Sequence, residues 1–178
     1  MRAAWLMLLP ALVGCRTQCM ADEEATAEQM AKEKKAASRA QIVCKELQRP
    51  TIDAKGDRLK LSATREVDVA ALADVPGDAP RFDPLFTRLD RYKRHYKQVW
   101  PADQFEPFAY VEVDPTLDGA KAKTLVATVA AAGYWSMRLT AGDAKVDIVW
   151  PQCGSKVPEA PAATAADLVR AFTTACKR

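Results

Sequence analysis

Glu112 and Asp114 stand two residues apart in "FAYVEVDP", the spacing that sets two carboxylates on one face of a β-strand, where general acid/base chemistry could use them. Nothing elsewhere in the chain completes such a pair. There is no G-x-S-x-G turn, no H-E-x-x-H and no glycine-rich phosphate loop, and the single histidine, His95, falls among arginines. The simpler reading makes Asp114, just before Pro115, a turn residue that ends the strand, and Glu112 an exposed strand position. Five cysteines are present, none in a C-x-x-C pair, and one histidine cannot complete a Cys/His metal set. Catalytic residues, a metal and a cofactor are therefore not expected. The balance of 26 basic against 23 acidic residues, a net +3, gives no reason to expect nucleic acid as a partner.

The thiol with the clearest chemistry is Cys15. The apolar run from Ala3 to Val13 is about eleven residues, half of the ~20 that a membrane-crossing helix needs, and it contains Pro10. Arg2, the short apolar core and the small residues after it have the layout of an export signal. Leu12-Val13-Gly14-Cys15 resembles a bacterial lipobox, in which the cysteine thiol is joined to diacylglycerol and the chain is then cut before it. A cut after Ala21 is the alternative, but it places Cys19 where a small alanine is wanted; an uncleaved apolar tail is the third outcome. Two or more acyl chains on Cys15 would give stable anchoring to a membrane. Arg16 stands where enteric lipoproteins carry an aspartate to stay in the inner membrane, so the expected address is the outer membrane, facing the periplasm.

Export leaves Cys19, Cys44, Cys153 and Cys176 in an oxidising compartment, an even number with three pairings. Cys44 precedes the first strand and Cys153 follows the last, which makes them one candidate pair; their bridge would close a loop of about a hundred residues, worth up to about 4.7 kcal/mol in the chain-entropy model. The segment before Cys44 is rich in Ala, Glu, Lys, Gln and Met, with acids ahead of lysines, an order that suits a helix dipole. It reads as a tether, either helical and up to roughly 40 Å long at 1.5 Å per residue, or solvated and frayed.

The elements that would hold these residues follow from periodicity. "TIDAKGDRLKLS" is a hairpin turning at Lys55-Gly56-Asp57 with Leu59 and Leu61 on one face. Arg65 to Pro84, with Pro76, Gly77 and Pro80, reads as loop. Phe82 to Trp100 is helical: Leu85, Phe86, Leu89, Tyr92, Tyr96, Val99 and Trp100 form one stripe, and Arg88, Arg91, Arg94 and His95 gather opposite. That basic face is either solvated surface or a docking surface for an acidic partner. A strand through Tyr110, Val111 and Val113 comes next. A second helix follows, with Asp118 as N-cap, Ala122, Leu125, Val126, Val129 and Ala130 on one face, and Gly133 as the stop. Two strands turn at Ala141-Gly142-Asp143. A Pro/Ala stretch leads to a short helix that opens with a capping-box-like Thr164 to Asp167 and carries Leu168, Val169 and Phe172 as its apolar face.

From about Arg49 to Ala141 this order resembles the periplasmic domain of the ExbD/TolR family of biopolymer-transport proteins. The likeness rests on "TIDAKGDRLKLS", on "YVEVDP" with Asp114 at the strand end, and on "LVATVAAAGYWSMRLT" with Gly133 after its alanines. Family members resemble one another in an N-terminal transmembrane helix with an aspartate on the proton path; this chain has no such helix and no acidic residue before Asp22. The resemblance thus implies the domain without the motor.

The expected organisation is a signal peptide over 1–14, a lipidated N-terminus and tether over 15–48, an α+β domain over 49–151, and a linker with a short helix over 152–178. The expected fold is a small sheet of four to five strands in ββαβαβ(β) order with two helices on one face. The expected function is that of a lipid-anchored periplasmic binding or scaffold module. Its partners would be the membrane, envelope proteins or the cell wall, and a homodimer is among its assemblies. A cell-envelope hydrolase or a metal-handling lipoprotein is the alternative.

Overall fold

The computed structural model describes residues 48–63, 65–99, 105–150, 152–153 and 162–176. The leader, the lipobox with Cys15, Cys19, the tether with Cys44, and Trp100 lie outside the described residues, as does the side chain of Val99.

Six strands form one mixed sheet: β1 (Thr51–Lys55), β2 (Arg58–Ser62), β3 (Glu66–Ala71), β4 (Phe108–Val113), β5 (Ser136–Ala141) and β6 (Ala144–Val149). Their spatial order is β3-β2-β1-β4-β5-β6. β1 pairs in parallel with β4, and β4 with β5; the other neighbours are antiparallel. Helices α1 (Asp83–Val99), α2 (Gly119–Ala131) and α3 (Ala165–Cys176) cover one face, and a short 3₁₀ turn at Leu72–Asp74 leads out of β3. The architecture is α+β.

Period-two alternation builds the core. Ile52, Ala54, Leu59, Leu61, Ala109, Val111, Val113, Met137 and Leu139 are fully buried under the helices, while their strand neighbours point the other way. The helices close the layer with Leu85, Leu89, Leu125, Val126, Val129, Leu168 and Phe172. Both tight hairpins use the same two residues. Gly56-Asp57 joins Lys55 to Arg58, Gly142-Asp143 joins Ala141 to Ala144, and each glycine has positive φ (+70° and +61°). A glycine first in a two-residue turn matches the twist of the strands it connects.

Helix ends follow local rules. The Asp118 carboxylate accepts the amides of Ala120 (2.8 Å) and Lys121 (3.1 Å). At the other end of α2, the Gly133 amide donates to Ala130 O and the Tyr134 amide to Val129 O, a Schellman pair that needs the +96° φ of Gly133. Thr164 and Asp167 form a reciprocal capping box at the start of α3.

The structure differs from expectation in three ways. The stretch read as loop from Arg65 to Pro84 begins with β3, whose alternating Glu66, Val67, Asp68 and Val69 pair with β2 through a bulge at Leu59/Lys60. The sheet therefore has six strands. The C-terminal helix α3 is a third member of the helical layer: Ala165, Leu168, Val169 and Phe172 are buried beside β6 and α2. Finally, Cys153 is bonded to Cys176, with Cα atoms 5.0 Å apart, and not to Cys44. The cause is the packing of α3, which brings its last residue back to the chain leaving β6.

Candidate functional site

Because the three helices among the described residues lie on one face, no described element covers the other face of the sheet, and register decides what it displays. One row across it reads Asp147, Arg138, Tyr110, Thr51, Ser62 and Glu66; the next reads Lys145, Thr140, Glu112, Asp53, Lys60 and Asp68. Much of this surface is paired with itself. Lys55 Nζ donates to Glu112 (2.6 Å) and Lys60 Nζ to Glu66 (2.9 Å); Arg58 meets Asp68 (3.4 Å), and Arg138 grips Asp147 with two bonds (2.7 and 3.1 Å). The hydrogen bond to Glu112 raises the Lys55 ammonium above its ordinary range, and the bond from Arg138 lowers the Asp147 carboxyl. Exposed pairs of this kind stabilise by about 0–1 kcal/mol each, but they leave few free charges on this part of the face.

The end of the face where β4 and β5 begin is different. Phe108 and Tyr110 project from β4 and meet edge to face, centroids 5.1 Å apart. Ser136 and then Val149 continue the row on one side of Phe108, and Trp135, just ahead of β5, is half exposed. Tyr134 turns fully into the core and Trp135 turns outward just ahead of β5, where Ser136 also faces out, so these two consecutive outward side chains lie where the strand's alternation has not yet begun. Arg49, Glu106, Phe108, Tyr110, Trp135 and Ser136 line an open depression of about 430 Å³. That volume lies within the ~300–1,000 Å³ of small-ligand sites. Arg49 and Glu106 are exposed and form no ion pair with the described residues.

The residues singled out from sequence fall elsewhere. Glu112 is engaged by Lys55, and Asp114 accepts the Thr116 amide (2.8 Å) and hydroxyl (2.6 Å), which hold its carboxyl below the usual range. Asp114 is thus the turn residue at the strand end, and the two carboxylates are held by different partners. Arg88, Arg91 and Arg94 lie on α1 away from its buried stripe of Leu85, Leu89, Tyr92 and Tyr96. Arg94 pairs with Asp90 one turn back (3.0 Å), and Arg88 and Arg91 are half-buried. They line no part of the aromatic depression.

Sequence reasoning did not find the depression, because the outward turn of Trp135 precedes β5 and departs from the alternation that points Met137 and Leu139 inward. Among the described residues no three His, Cys, Asp or Glu side chains could hold a metal ion together, and no helix is long and apolar enough to cross a membrane. No family model, curated protein or solved structure matches the chain. The site is therefore read from its side chains alone.

Proposed function

We propose that this protein is a lipid-anchored module of the bacterial cell envelope, held by acyl chains on Cys15 at the outer membrane's periplasmic side, that works by binding and placement and not by catalysis. The observation that carries the reading is the sheet face that no described element covers, where exposed Trp135 and partly exposed Phe108 and Tyr110 stand beside self-paired charges. Monomeric surfaces seldom expose aromatics together unless something docks there. The engagement of Glu112 by Lys55 and of Asp114 by Thr116 speaks against a carboxylate pair at work.

The likeness to the ExbD/TolR periplasmic domain belongs to the same proposal. It is supported by the run of hairpin, helix, strand, helix and strand, with β1, β4 and β5 parallel in the sheet centre. Strand β3 and helix α3 are additions to the pattern quoted for it. Envelope proteins, the cell wall or a second copy of the chain are the partners this reading admits.

The test has two arms. Cys15→Ser should abolish labelling by a clickable fatty acid and leave the precursor unprocessed. Photo-crosslinking in intact envelopes from a probe at Val149 should capture partners from the wild-type chain and lose them in Trp135→Ala. Labelling that persists, or crosslinks unaffected by Trp135→Ala, rejects the anchor or the binding face respectively. Loss of function in Glu112→Gln with the fold intact would favour a hydrolase.

A further inference from the structure

The geometry points to a neutral saccharide as the ligand of the Trp135 depression, an inference that rests on the binding reading above and names its ligand class. The first argument is topological. The depression lies over β4 and the start of β5, and both strands are interior, with β1, β4, β5 and β6 paired in series. Their backbone groups are spent on the ladder. An extended peptide adding itself as a strand needs a free edge, and the site has none to offer. Recognition must come from side chains.

Those side chains are of two kinds. Trp135, Tyr110 and Phe108 supply aromatic surface, Trp135 half exposed and the other two partly so. Around them stand a guanidinium (Arg49), a carboxylate (Glu106) and a hydroxyl (Ser136). A pyranose ring presents an apolar face of C–H bonds and a rim of hydroxyls that both donate and accept. The aromatic rings can take the C–H face, while Glu106 accepts from rim hydroxyls and Arg49 donates to them. Neither Arg49 nor Glu106 has an ion-pair partner among the described residues, so the described lining holds one charge of each sign. An anion would meet Glu106, a cation would meet Arg49, and a purely apolar ligand would leave both charges desolvated without partners. A neutral polyol with one apolar face satisfies every group. The open shape admits an internal stretch of a chain as well as its end.

The experiment uses the lipidated full chain in nanodiscs against an array of neutral α- and β-linked gluco- and galacto-oligosaccharides. A sulfated glycan and proline-rich and aromatic peptides serve as comparison probes. At least one neutral oligosaccharide should bind, and titration of the best should show its affinity changing less than about twofold between low and high salt. Trp135→Ala should weaken binding at least about tenfold and Glu106→Gln by a smaller factor, with Trp135→Phe retaining part of the affinity and all variants unfolding at the wild-type midpoint. Failure of every neutral glycan to bind, preference for the sulfated glycan or a peptide, or undiminished binding by Trp135→Ala overturns the assignment. If the glycans fail while Trp135→Ala still loses its envelope crosslinks, the ligand class is wrong and the binding face stands. If glycans and crosslinks both fail, the binding reading goes too.

Discussion

The Thr128 hydroxyl accepts the backbone amide of Phe82 at 2.8 Å and donates to the Thr124 carbonyl at 2.7 Å, so one buried side chain on α2 fastens the start of α1. One turn earlier Thr124, also fully buried, accepts the amide of Ala79 at 2.9 Å. The connection from β3 to α1 is thus seated on two threonines spaced i, i+4, with Lys121 Nζ donating to the Leu72 and Ala73 carbonyls one turn before them. Buried amides need such partners, because an unmet one costs about 1–3 kcal/mol.

Thr128→Val keeps the shape of the side chain and strands the Phe82 amide. It should destabilise the protein by about 1–3 kcal/mol, and Thr124→Val by a similar amount through Ala79. Urea unfolding measures both, and hydrogen exchange should show the Phe82 amide losing protection in the first variant and the Ala79 amide in the second. Unchanged midpoints would mean that the loop does not depend on these bonds.

Leu89 is fully buried on α1, and Leu89→Ala should cost about 2–5 kcal/mol from lost transfer energy and the cavity left behind. Arg94→Glu, on the exposed side of the same helix, exchanges a surface ion pair with Asp90 for a like-charge pair and should stay within roughly 0.5 kcal/mol. Chemical denaturation of the two variants side by side separates the packed face from the solvated one.

The Cys153–Cys176 bond closes a loop of 23 residues in sequence separation, for which the chain-entropy model gives about 3.4 kcal/mol. Non-reducing peptide mapping should recover this pair. Reduction, or Cys176→Ser, should lower stability by up to that amount and loosen α3 first, visible as faster exchange of its amides. Recovery of Cys153 joined to Cys44 would contradict the fold at its C-terminal end.

Stability should fall at both ends of the pH scale. Asp114, Asp147 and Asp167 are lowered by hydrogen bonds, from Thr116, from Arg138, and from Arg170 with Thr164. A folded-state pKa below the unfolded one gives stability that is complete above the unfolded value of about 3.9 and is lost as pH falls through the lowered values. Tyr134 works in the opposite sense. Burial raises its phenol above the ordinary value of about 10, so its contribution is complete below that pH and lost as pH rises beyond it. Asp167→Asn should flatten the acid limb and Tyr134→Phe the alkaline one, as followed by unfolding free energy against pH.

Close approach sets one further requirement. A Cβ on Gly119 would stand 2.1 Å from the carbonyl oxygen of Ala162, where the chain entering α3 crosses the start of α2. Gly119→Ala must move backbone, and it should destabilise by about 1–3 kcal/mol. Thermal unfolding would show the loss, and a variant with the wild-type midpoint would mean that the crossing is not tight.

What the sequence determined by itself is local. Asp118, Gly133 and the Thr164 to Asp167 box mark helix ends because a cap is a bond between residues two to five apart, and the stripe Leu85, Leu89, Tyr92 and Tyr96 shows because helical period repeats within a few turns. Gly56-Asp57 and Gly142-Asp143 announce hairpins for the same reason. The alternation of Glu66 to Val69 is equally local, but Pro76, Gly77 and Pro80 just downstream carry a stronger loop signal that masks a strand of six residues. Tertiary structure alone decided the rest. Arg49, Phe108 and Trp135 are far apart in the chain and meet only because β1 and β4, then β4 and β5, pair in parallel through crossovers, whose register no local pattern specifies. Cys176 finds Cys153 because the apolar face of α3 packs beside β6 and α2, and that packing, not spacing in the chain, chose the partner.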